Sequence, residues 1–136
     1  MPQLWEKPDC PPYAPMFDKV FDVNQTIYAI YSIYNLGNHV EKMREKHPLW
    51  TETQLYNVLY WQGSARKVLK SNIAAFVSRY RESGYYVTTS PEAMGVDVTQ
   101  TLLNAGIKME WPARNNVYKV AMAGIPLTDE YRSILR

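Results

Sequence analysis

The sequence contains one cysteine and two histidines in 136 residues. A lone cysteine excludes a disulfide within the chain, and a metal cage of cysteines alone would need ligands from other chains. The histidines, His39 and His47, do not have the spacing of two ligands on one helix face. No run approaches the roughly 20 apolar residues that a membrane-spanning helix requires. Surplus charge is missing too: 15 Lys and Arg stand against 13 Asp and Glu, a net +2. That balance is far from the strongly basic one of a dedicated nucleic-acid binder, so nucleic acid is not an expected partner. The first residues carry Glu6, Asp9 and several prolines in place of an apolar signal core, and the expected location is the cytoplasm.

What remains is an ordinary globular composition, 46% hydrophobic and 21% charged, with a mean hydropathy of −0.37. It fits a single domain over 1–136 with a proper core. Two features stand out. The chain has eleven tyrosines, whose apolar bodies and polar tips suit interfaces and half-buried strands. Four of the nine prolines fall in the stretch Lys7-Pro8-Asp9-Cys10-Pro11-Pro12-Tyr13-Ala14-Pro15. Proline fixes φ and removes a backbone donor, so this stretch reads as a stiff, extended arm over 1–15 that holds the thiol.

Beyond the arm, Met16 to Val23 suggests a short turn or helix. Thr26 to Tyr34 alternates β-branched and aromatic residues with a period near two, the pattern of a strand. Within it, a spacing of three puts Tyr31 on the face opposite Tyr28 and Tyr34, which argues against a single base-stacking platform. Asn35-Leu36-Gly37-Asn38 reads as a turn, followed by a polar helix from about His39 to Lys46 that Pro48 stops. Thr51-Glu52-Thr53-Gln54 is a capping box, with Trp50 and Leu55 placed for a hydrophobic staple. Helical spacing then runs through Leu55, Val58, Leu59 and Gln62 to Tyr80, with a break expected at Gly63-Ser64 and a stop at Gly84. Tyr85 to Thr89 reads as a strand, and Pro91 opens a turn. Asp97 to Gln100 starts a further helix that Gly106 ends. Ile107 to Trp111 and Val117 to Ala123 read as strands around a turn at Pro112 to Asn116, and a peripheral tail runs from Pro126. The order predicts an α+β domain: a mostly antiparallel sheet of about four strands against a long, broken helix and shorter helices.

Candidate chemistry is sparse. Cys10 is open to two roles, metal ligand or nucleophile, against the simpler one of an inert thiol. As a nucleophile it would need a base, and only His39 or His47 could supply one in space. His47 precedes Pro48 and suits a helix C-terminus. Ser64 with Arg66, Lys67 and Lys70 forms a candidate anion site beside Gly63, although the glycine–lysine spacing is not that of a Walker loop. The simpler reading of those cations is a solvated helix face. No acidic pair of the general acid–base kind is visible, and the balance of signals points away from an enzyme.

Two segments together resemble a known family. Cys10-Pro11-Pro12-Tyr13-Ala14-Pro15 is similar to the CPPY-x-P motif of an uncharacterised prokaryotic family described as predicted metal-binding proteins. Pro91-Glu92-Ala93-Met94-Gly95-Val96-Asp97-Val98, running on to Asn104-Ala105-Gly106, resembles that family's second hallmark. The resemblance implies a metal ion or iron–sulfur cluster held by cysteines, but most of those cysteines are missing here. The nine residues before Cys10 contain none, and Ser90 stands where one would be expected. Only Cys10 carries over as a ligand. One thiolate with His39 and His47 makes a poor tetrahedral site. The resulting expectation is a cysteine-depleted relative acting as a binding or accessory protein, with a protein partner or in a homo-oligomer. The alternative is a metal site completed between chains through Cys10.

Overall fold

A computed structural model describes residues 16–127. Cys10, the proline arm and the tail beyond Leu127 lie outside the described residues. The fold is α+β. Its elements are α1 (Phe17–Val20), β1 (Tyr28–Asn35), α2 (Leu36–Lys46), α3 (Glu52–Leu55), a 3-10 turn (Val58–Tyr60), α4 (Gln62–Arg79), β2 (Tyr86–Thr88), a second 3-10 turn (Glu92–Met94), α5 (Val98–Asn104) and β3 (Asn116–Gly124).

Among the described residues the sheet is antiparallel, with three strands in the order β1-β3-β2. The last strand lies between the other two. Tyr28 pairs with Ala123 and Asn35 with Asn116, while Val87 of β2 also faces Ala123. Side chains alternate as the period-two pattern requires: Ile30 and Ser32 are buried, and Tyr31 and Ile33 are exposed. Tyr31 thus opposes Tyr28 and Tyr34, as the spacing predicts.

Helix α4 covers one face of this sheet. Leu69 packs with Ile30, Val87, Ala121 and Ala123, flanked by Ile73, Phe76 and Tyr28. At the end of β1, Leu36 and Val40 of α2 meet Leu55, Trp61, Ala65 and Val117. The opposite face is closed over β3 by Phe17, Val20, Phe21 and Met94 around Met122, and by Val98 and Leu102 against Val120. Removing a side chain such as Phe21 or Leu102 from water contributes about 1.5–3 kcal/mol each, so β3 is the best-buttressed strand. The Ala29–Tyr31–Ile33 side of β1 stays exposed.

Three expectations are corrected. The first is the fourth strand: Ile107 to Trp111 pairs with nothing. Ile107 and Met109 instead pack against Val98, Leu102 and Val120. The Glu110 carboxylate takes the N–H groups of Arg114, Asn115 and Asn116, closing a loop that contains a cis Trp111–Pro112 bond. The second concerns Asn35 to Asn38, which is not a separate turn. The Asn35 side chain accepts the Asn38 N–H at 2.9 Å, and α2 begins at Leu36.

The third is the long helix, which breaks before Gly63-Ser64. The capping box forms as predicted: Thr51 accepts the Gln54 N–H and Gln54 accepts the Thr51 N–H. The helix stops after Leu55, however, where the Asn57 side chain caps the 3-10 turn by accepting the Leu59 N–H. Asn57 in that role competes with helix continuation. The break turns Val58 and Leu59 outward, where helical spacing predicts them on an apolar face. Ser64 is then the third residue of α4, not its cap. The Asp97 cap forms too, but Gln100 bonds Asn104 instead of reaching back.

Candidate functional site

The two histidines sit at opposite ends of α2. At 1.5 Å of rise per residue, eight residues separate their backbones by about 12 Å. His47 caps the C-terminus through its N–H to the Met43 carbonyl, and its ring stacks on Trp50 at 3.9 Å between centroids. His39 lies in the first turn, half-buried. Its Nε2 is shielded from solvent and has no hydrogen-bond partner. Burial holds its pKa below the ordinary 6.5, which favours the neutral ring. Among the described residues no group of three His, Cys, Asp or Glu side chains could hold a metal ion. Among the described residues, His39 and His47 thus have no third His, Cys, Asp or Glu beside them to complete a metal centre.

All four residues of the predicted anion site lie exposed on α4, with Lys67 one turn from Ser64. Of the four, Ser64 also meets His39 in a cleft of about 460 Å³ lined by Ile33, Tyr34, Asn35, Asn38, His39, Lys42, Ser64 and Val68. Three elements build it. The end of β1 supplies an apolar and aromatic wall, α2 presents Asn38, His39 and Lys42, and α4 presents Ser64 and Val68. Farther along α4, the Asn72 side chain donates to the Tyr31 carbonyl at 2.9 Å and covers part of the outer edge of β1.

Sequence reasoning misses Asn38, Lys42 and Val68. The available signal is their spacing: Asn38 and Lys42, like Ser64 and Val68, are four apart and share a helix face. Nothing local brings those two faces together.

A second feature follows from the helix break. Val58, Leu59 and Tyr60 are consecutive and all exposed, at 49%, 74% and 52%. The Tyr60 ring lies 5.2 Å from that of Trp50, and the neighbouring Leu49 is 96% exposed. The Arg44–Glu52 ion pair, 2.9 Å long, lies on the adjoining elements α2 and α3. A run of exposed apolar residues of this kind marks a candidate interaction surface.

No protein-family model matches this chain, and neither the curated proteins nor the solved structures give a match. No helix among the described residues is long and apolar enough to cross a membrane.

Proposed function

We propose that this chain is a small cytoplasmic binding protein, not an enzyme, that works by assembling with a second copy of itself. The exposed apolar residues Leu49, Val58, Leu59 and Tyr60, beside the half-buried Trp50, carry this reading. Interface centres are rich in Trp, Tyr and aliphatic anchors and poor in charge, and this cluster has that composition. It has no charge of its own, so two copies meet about a two-fold axis without like-charge repulsion. Arg44 and Glu52, of opposite sign, suit a polar rim. Self-assembly is also consistent with the cysteine-depleted resemblance, in which Cys10 lacks the companion cysteines of a metal site.

Sedimentation velocity over a concentration series tests this. The expected result is reversible dimerisation in the micromolar range that Leu59→Lys weakens at least about tenfold, with circular dichroism unchanged. Leu59 is exposed, so the variant leaves the core intact. A wild-type chain that stays monomeric throughout, or a Leu59→Lys chain that dimerises equally well, would overturn the proposal.

A further inference from the structure

The cleft between α2 and α4 has no part in that assembly, and its chemistry is of another kind. We propose that it binds a small phosphate monoester, the phosphate between Lys42, Asn38 and Ser64 and the organic group against Ile33, Tyr34 and Val68.

The lining carries the argument. Its side chains offer a cation in Lys42, a hydroxyl in Ser64 and carboxamide donors in Asn35 and Asn38, and none of the lining residues is acidic. A site rich in donors, with one cation and no carboxylate, selects an anion. A phosphate, with three terminal oxygens, uses more of these donors than a carboxylate can.

Two further observations point the same way. The cap residue of α4, Trp61, makes no side-chain cap bond, and the first turn has no acidic residue. The positive end of an 18-residue helix thus stands uncompensated three residues from Ser64, with Arg66 and Lys67 adding charge of the same sign. A bound phosphate would relieve both. In the cleft wall, His39 adds a half-buried imidazole ring beside Asn38 and Lys42 to the polar lining.

The volume, about 460 Å³, lies within the range of small-molecule sites and exceeds what inorganic phosphate needs. The apolar wall from Ile33, Tyr34 and Val68 gives the remaining space to an organic group.

Titration of the isotope-labelled chain with inorganic phosphate and with phenyl phosphate, followed by amide NMR, tests the assignment. Saturable shifts are expected at Asn38, His39 and Ser64, with phenyl phosphate binding several-fold tighter. Lys42→Met should weaken both ligands about tenfold, since a charge-assisted bond is lost. Lys70→Met, on the exposed side of α4, should change neither, and both substitutions lie on exposed helix positions that leave the fold intact. The site assignment is overturned if the shifts are absent across the millimolar range or if Lys70→Met weakens binding as much as Lys42→Met. Phenyl phosphate binding no tighter than inorganic phosphate would overturn the monoester assignment. These shifts are read in the Leu59→Lys background, whose weakened assembly keeps the titration independent of the proposed dimer.

Discussion

Glu110 and Asn115 are joined by a short hydrogen bond, the Asn115 N–H donating to Oε2 of the Glu110 carboxylate at 2.6 Å. The same oxygen accepts from Arg114 at 2.7 Å and Asn116 at 3.1 Å, so one carboxylate organises the turn into β3. These donors hold the Glu110 pKa at about 2, well below the ordinary 4.5.

A lowered carboxylate pKa makes stability depend on acid. The contribution is fully present above pH 4.5 and is lost as pH falls from there toward about 2. Glu110→Gln removes the charge and hence this share of the dependence. Thermal melting of both chains across that window should show a steeper fall in Tm for the wild type. Parallel curves would show that the carboxylate does not hold the loop in solution.

Gly95 has φ of +84°, and a Cβ there would run into Met16 Cε. Gly106 has a similar φ of +86° with open space around it. Alanine at Gly106 should therefore cost only the backbone term, about 1 kcal/mol, and alanine at Gly95 should cost more, about 2–3 kcal/mol. Urea unfolding of both variants measures the difference. Equal losses would mean that Met16 swings aside without penalty.

The capping box makes a third expectation. Thr51 and Gln54 satisfy each other's backbone N–H groups, and Thr51→Ala should cost about 1 kcal/mol. Gln54→Ala should cost less than that in the Thr51→Ala background, because the two bonds support one geometry. A double-mutant cycle in denaturant unfolding reads this coupling, and strict additivity would show two independent contacts.

Which parts of the fold were legible follows from how far each cause reaches along the chain. The alternation of Tyr28 to Tyr34, the Thr51 box, the Asp97 cap and the stop at Gly106 depend on partners within about four residues, and all form, whereas α4 ends at Arg79, short of the expected stop at Gly84. The same reach explains why His47 was placed at the end of its helix.

The failures have a different origin. Ile107 to Trp111 has strand-like residues, but Leu102 and Val120 offer its side chains an apolar seat, and Glu110 claims the amides that a hairpin would have used. Val58 and Leu59 have helical spacing, but Leu55 and Trp61 already fill the core on either side of them, and the 3-10 turn leaves them exposed. Periodicity reports which residues can share a face, not whether there is room beneath it.

The sequence by itself determined the α+β class, the alternation along β1, the caps at Thr51 and Asp97, the stop at Gly106, and the exclusion of an internal disulfide. Tertiary structure alone decided that β3 lies between β1 and β2, and that His39 and Lys42 meet Ser64 in one cleft. The physical reason is range. Caps and turns are made by neighbours in sequence, whereas the cleft exists because α2 and α4 both bury their apolar residues around Leu36, Val40, Ala65 and Val117, which brings their polar flanks together at the end of β1.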